Sequence, residues 1–272
     1  ALQGAAMGGF ALTEAEAGSD VSGIATTAAR HDDAYVLNGE KTYISNAGIA
    51  DFYVVFASTD PSAGTRGLSA FVVGAATPGF EFVAPQILSS PHPLGTIAFR
   101  DCAIPAACRL GEEGQGFKIG MMTLDKLRVS VGAAACGMAG RALEEALKHV
   151  AAREQFGKPL AEFQLVQDKL ARMYVELTAS RLLVYRAAWE KDQGAKRLTL
   201  EAATAKVGAT EAAQRIIDDG IQLLGGRGVL ADNVVDRMYR SIRALRIYEG
   251  TSEIQHLIIA RQLLAAAQEP DA

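Results

Sequence analysis

Arg246-Ile247-Tyr248-Glu249-Gly250-Thr251-Ser252-Glu253-Ile254-Gln255 stands near the end of a 272-residue chain. A helical pattern closes just before it and another opens just after it. Ser252 followed three residues later by Gln255 fits a capping box, and Ile254, Leu257, Ile258 and Leu264 recur beyond it at helical spacing. Glu249 is thereby predicted in a short interhelical turn, followed by a glycine that leaves its approach unhindered. Taken alone, such a residue reads as a solvated loop glutamate, because charged side chains are mostly exposed. It reads as a base if a pocket desolvates it and raises its pKa toward neutrality.

Upstream of this turn the chain keeps its helical character back to about residue 111. Phe163, Val166, Leu170, Met173 and Leu177 step at three and four, and Ala203, Val207, Thr210 and Ile217 do so more loosely. Breaks fall at Gly157-Lys158-Pro159, near Gln193-Gly194, at Gly225-Gly226-Arg227-Gly228 and at Glu249-Gly250. Four to five antiparallel helices in a bundle are expected over 111–267, with a short tail at 268–272.

Before Pro105 the signal is β. Tyr35-Val36-Leu37 and Thr42-Tyr43-Ile44 flank Asn38-Gly39, a strong hairpin dipeptide. Runs of strand length at 52–57 and 68–73 are bounded by turn residues, and Ile97, Phe99 and Asp101 alternate with Ala98, Arg100 and Cys102. The expectation over 10–110 is a compact antiparallel β-barrel or sheet, preceded by a small-residue linker remnant at 1–9. The fold class is therefore α+β, with the β domain first.

Composition narrows the function. With 49% hydrophobic residues the chain can bury a substantial core, and a net charge of −4 with interspersed signs argues against a nucleic-acid surface. Cys102, Cys108 and Cys136 form no CxxC pair, which fits buried thiols in a reducing compartment. No apolar run approaches the roughly 18–20 residues of a membrane span, and no secretory leader is evident. A cytoplasmic protein is the default expectation, and no metal site is read from the sequence.

Four motifs in order resemble the acyl-CoA dehydrogenases. They are Leu12-Thr13-Glu14-Ala15-Glu16-Ala17-Gly18-Ser19-Asp20, Arg153-Glu154-Gln155-Phe156-Gly157-Lys158-Pro159, Gln222-Leu223-Leu224-Gly225-Gly226-Arg227-Gly228, and the Tyr248–Gln255 turn with Ile258-Ile259-Ala260-Arg261 after it. The match runs from about Phe10 to Leu264 without the family's N-terminal helical domain, so the chain reads as a fragment cut at a domain junction.

The resemblance implies FAD as cofactor and α,β-desaturation of an acyl-CoA thioester, with Glu249 as catalytic base because Leu127 occupies the position where a subset of the family carries that glutamate. It implies flavin contacts from Phe10, Leu12, Thr13 and Ser19, from Tyr43, Ile44 and Ser45, and from Thr251 and Glu253. Arg153, Gln155, Phe156, Gln164, Gln222, Gly225 and Gly226 would reach the flavin of a neighbouring subunit. Ser19, Asp125, Arg128 and Gly250 would face the acyl-CoA, although Asp125 and Arg128, three apart on a helix, also read as a surface ion pair. An electron-transferring flavoprotein as acceptor and a homotetrameric assembly follow from the same resemblance. A flavin- or CoA-binding oligomerisation module without turnover, and an oxidase-like relative, stand as alternatives. His92, between two prolines, reads as part of a rigid surface turn, and the family's Gly-x-Arg-x-Ser type signature is missing near it.

Overall fold

The structure, a computed structural model, describes residues 3–268. It divides into two compact units, Ala1–Thr123 and Leu124–Ala272.

The first unit is built on eight strands: β1 (Gly8–Ala11), β2 (Thr27–His31), β3 (Ala34–Ser45), β4 (Phe52–Ser58), β5 (Leu68–Gly74), β6 (Phe80–Pro85), β7 (Leu94–Pro105) and β8 (Arg109–Leu110). They form one sheet in the order β6-β7-β3-β2-β4-β5-β8, with β1 also paired to β4. Most pairs are antiparallel, while β1 and β2 run parallel to β4. The path has two ends, β6 and β8, so among the described residues the sheet is open and not the closed barrel that was one form of the expectation. Gly8 and Gly9, expected in a linker, open β1. Tyr35, Leu37, Tyr53, Val55, Phe71, Val73, Ile97 and Phe99 fill its core, each of these large side chains contributing about 1.5–3 kcal/mol by burial.

Two β predictions need correction. Asn38-Gly39 is no hairpin turn: β3 runs straight through it, and the turn to β2 is made at Asp32, whose φ is 50°. Gly39 has φ 147°, and a Cβ there would stand 2.7 Å from the Cα of Thr26. The dipeptide serves a bulge, in which the pairing Leu37–Cys102 is followed by Gly39–Phe99. Asn38 seals it by accepting from the Asp101 N–H and donating to the Asp101 carboxylate. The extra residue lies on β7, where Arg100 and Asp101 are both exposed. Ile97 and Phe99 before the bulge, and Cys102 and Ile104 after it, all point inward, so the simple alternation breaks there.

Helix α1 (Gly116–Ala152) begins in the first unit and continues into the second, where α2 (Gln164–Asp192), α3 (Thr199–Leu224), α4 (Val234–Leu245) and α5 (Ser252–Gln268) complete the helical layer. The break at Gly157-Lys158-Pro159 is a tight hairpin of β9 (Glu154–Gln155) and β10 (Lys158–Pro159), turned by Phe156 and Gly157 at φ 51° and 80°. α3 packs against α2, α4 and α5. Its buried residues Ala202, Ala203, Ala205, Ala209, Ala212 and Ala213 let neighbouring helices approach closely, and Ile216 and Ile217 fill the space beyond. Leu257 and Leu264, which recur at helical spacing in α5, are 50% and 63% exposed.

Candidate active site around Glu249

The turn between α4 and α5 is held on the buried face of α3. Arg246, at its start, pairs with Glu211 through Nε and Nη2, both at 2.8 Å. Ser252, at its end, donates to the same Glu211 carboxylate. Between these anchors Glu249 adopts φ 57° and Gly250 φ 92°, successive left-handed residues that turn the chain sharply. A Cβ on Gly250 would stand 2.7 Å from Nε2 of Gln255, so no larger residue fits without displacing that amide.

The capping prediction is off by one residue. Thr251 caps α5, its hydroxyl and carbonyl accepting from the N–H groups of Ile254 and Gln255 at 3.4 and 3.0 Å. This leaves Gln255, fully buried, to donate from Nε2 to the carbonyls of Glu249 (3.1 Å) and Gly250 (2.9 Å). Arg128 adds a donor to the Glu249 carbonyl at 3.1 Å, and Lys206 adds one to the Gly250 carbonyl at 2.8 Å. Asp125 binds Arg128 at 3.0 Å and accepts from Thr199 at 2.8 Å. The Asp125–Arg128 pair expected at the surface is nearly buried, with Arg128 only 4% exposed.

The bonds that Arg128, Lys206 and Gln255 make to the turn end on the carbonyls of Glu249 and Gly250 and leave the Glu249 carboxylate unclaimed. Oε2 is buried and has no hydrogen-bond partner. Burial, the largest effect, pushes the Glu249 carboxyl up from its ordinary 4.5 to about 7, against the pull of Arg128 and Lys206. Burial likewise lowers Lys206 to about 8, with the Glu249 charge acting in the opposite direction. A carboxylate of near-neutral pKa, with an unpaired oxygen and a rigid backbone, is suited to general-base chemistry.

In the first unit the loop after β1 is tied down by a second buried pair. Lys41, fully buried on β3, bonds the Glu14 carboxylate at 2.7 Å and the Leu12 carbonyl at 3.0 Å. Glu14 also accepts from the N–H groups of Ala25 and Thr26 at 2.7 and 3.0 Å. Ser19 is exposed at the loop's tip, Thr13 half-buried and Leu12 buried. On β3, Tyr43 is 62% exposed at φ 56° and Ser45 is exposed beside it, while Ile44 points into the core. Ser45 Oγ lies 2.9 Å from His92 Nε2. Phe10 packs on Phe56, their ring centres 4.9 Å apart.

Arg153, Gln155, Phe156, Gln164, Gln222, Gly225, Gly226 and Glu253 are exposed on the second unit, Phe156 almost completely. The structure gathers Asp125, Arg128, Glu249, Gly250 and Thr251 in one place and leaves the Arg153 hairpin as a separate surface feature. Lys206, Glu14, Lys41 and Glu211 were not singled out by their sequence pattern. The available signal for Lys206 was a lone charge within Ala202-Ala203-Thr204-Ala205-Lys206-Val207-Gly208-Ala209, a run otherwise fit for complete burial. No cluster of three or more potential metal ligands occurs among the described residues.

An open sheet followed by a helical layer makes this a mixed α+β protein, and a helix-to-helix turn of it carries a glutamate of raised pKa with an unpartnered buried oxygen. Residues 9–102 match the acyl-CoA dehydrogenase middle domain and residues 114–264 the acyl-CoA dehydrogenase C-terminal domain. The chain is 44% identical, over 97% of its own length and 69% of the relative's, to a short-chain specific acyl-CoA dehydrogenase of Megasphaera elsdenii. It superposes on butyryl-CoA dehydrogenase of Megasphaera elsdenii with a TM-score of 0.93 at 43% identity, covering 95% of this chain and 68% of that one. A structure solved in work on the electron-transferring flavoprotein of Acidaminococcus fermentans gives a TM-score of 0.94 at 40% identity, covering 96% and 69%. The chain belongs to the acyl-CoA dehydrogenase family, whose members are FAD-dependent oxidoreductases.

Proposed function

We propose that this chain carries the α,β-desaturation of an acyl-CoA thioester, with Glu249 removing the α-proton. The observation that carries this reading is the Glu249 carboxylate: buried Oε2 without a partner, a pKa near 7, and a backbone fixed from three sides. An α-proton beside a thioester is weakly acidic, so a base of near-neutral pKa that is already desolvated is favoured over a solvated carboxylate. The developing enolate oxygen needs donors, and the Glu249 backbone N–H, on a turn whose carbonyls are already satisfied, is available for that role. Arg128 and Asp125 serve the substrate indirectly by holding the Glu249 carbonyl, while Ser19 and Gly250 are assigned to acyl-CoA contact.

The residues present fit FAD. Tyr43 offers an exposed aromatic face, and Thr13, Ser19 and Ser45 offer hydroxyls. Gly18 has open space where a side chain would stand, so its backbone can be approached closely. Thr251 caps α5 and Glu253 is exposed in its first turn, and both are assigned to flavin contact through their polar groups. When bound, FAD supplies acceptance of the hydride that leaves the β carbon. Leu12 and Ile44 are buried, so their contribution comes from the main chain.

We assign Arg153, Gln155, Phe156, Gln164, Gln222, Gly225 and Gly226 to the flavin of a neighbouring copy in a homotetramer. The exposed apolar side chains Leu165, Val175, Leu182, Tyr185 and Trp189 along α2 support association. The relatives' names support an acyl-CoA substrate and an electron-transferring flavoprotein as electron acceptor. No described helix is long and apolar enough to cross a membrane.

The test is anaerobic addition of a panel of acyl-CoA thioesters to the FAD-loaded chain. Bleaching of the oxidised-flavin absorbance supports desaturation, and an unchanged spectrum with retained flavin points to a binding module. Release of peroxide on admitting air points to an oxidase.

A further inference from the structure

Lys206 is fully buried in α3, and among the described residues its ammonium has one hydrogen-bond acceptor, the Gly250 carbonyl at 2.8 Å. Two of its three donors are therefore not spent on hydrogen bonds. A buried ammonium is costly, and an aliphatic side chain would fill the same interior without that cost. Arg128, the other cation at the turn, is differently placed: its charge is answered by Asp125 at 3.0 Å. Lys206 has no carboxylate within ion-pair distance, while the Glu249 carboxylate has an unpartnered buried oxygen.

We propose that Lys206 is a positioning residue for Glu249, fixing the adjacent Gly250–Thr251 peptide through the Gly250 carbonyl and holding beside the turn a positive charge without a bound counter-ion that favours ionised Glu249. The proposal rests on the reading of Glu249 as base. Facing Glu249 are Arg128 from α1, Lys206 from α3 and Tyr248 from its own turn. Facing Lys206 are Glu249, Arg128, Glu211 from α3 and Glu253 from α5. Of the two cations acting on Glu249, Arg128 acts more strongly but is bound to Asp125, whereas Lys206 lacks a bound counter-ion, so its removal takes a charge from the turn without stranding a carboxylate.

The test is titration of the Glu249 carboxyl in the full chain by carbon-13 NMR with labelled glutamate, the signal being assigned by its loss in Glu249→Gln. Lys206→Met and Lys206→Gln remove the charge, and the glutamine keeps a donor for the Gly250 carbonyl. Lys206→Arg keeps the charge. Both neutral variants are expected to raise the Glu249 midpoint by about one pH unit or more, and the arginine variant to leave it near that of the wild type. A rise of one unit from a midpoint of about 7 would cut the ionised fraction at pH 7 about fivefold. Unchanged midpoints in the neutral variants would overturn the proposal, as would failure of both to fold, which assigns Lys206 to the fold alone. Acyl-CoA-driven flavin reduction in Glu249→Gln separates the two readings. If reduction persists there while the lysine variants still shift the titration, the base assignment fails and the role of Lys206 stands.

Discussion

Replacing Glu249 by glutamine should stabilise the second unit at alkaline pH while leaving it unchanged in acid. The carboxyl is raised from 4.5 to about 7 in the folded chain. At about 1.36 kcal/mol per unit of pKa, this is a preference of about 3 kcal/mol for the protonated form, and partial contact with water reduces it to about 2 kcal/mol. A raised folded-state pKa gives stability that is complete below the unfolded value and is lost as pH rises through the folded value. The wild type should therefore lose stability between about pH 4.5 and 8, and Glu249→Gln, an isostere of the neutral acid, should not. Urea unfolding followed by fluorescence of Trp189, the single tryptophan and a residue of the second unit, reads this difference directly. A gap near zero at pH 4.5 that opens to about 2 kcal/mol at pH 8 is expected. Parallel stability curves for the two proteins would refute the claim that the fold desolvates Glu249.

Other perturbations test the supports. Glu14→Ala strands the Lys41 ammonium in the core and should cost about 3–5 kcal/mol at neutral pH; Lys41 is already lowered to about 8 by burial, so part of the loss should be recovered above that pH, as denaturation at pH 7 and 9.5 would show. Gly39→Ala forces a Cβ to 2.7 Å from the Thr26 Cα at φ 147° and should lower stability by about 2 kcal/mol or more, measured by chemical denaturation. Arg153→Ala should weaken FAD retention and the assembly together; gel filtration with absorbance at the flavin and protein wavelengths tests this, since a ligand held between copies stabilises their association.

The β-then-α division was legible because each part carries its own period: strand-length runs bounded by turn residues up to 105, and three-and-four spacing from 163 onward. Asn38-Gly39 misled because a glycine free to take positive φ serves a bulge as well as a turn, and which it serves depends on the partner strand, here the Asp101 region of β7. The Glu249 turn was legible because its chemistry is contiguous. Its supports were not, since Lys206 and Arg128 lie 43 and 121 residues away and meet the turn only through helix packing. The capping register slipped by one because Thr251 and Ser252 offer equivalent hydroxyls, and only the fold commits Ser252 to Glu211. Leu257 and Leu264 show the converse, as apolar spacing marks a face without saying whether this chain covers it.

The measurement closest to the central claim is the rate of flavin bleaching by an acyl-CoA substrate in FAD-loaded wild type and Glu249→Gln, both checked for folding and flavin content. Glutamine preserves the shape and the polar oxygen but cannot accept the α-proton. Reduction slowed by several orders of magnitude with flavin content unchanged is the predicted result. Near-wild-type bleaching in the variant would contradict it and place the base elsewhere.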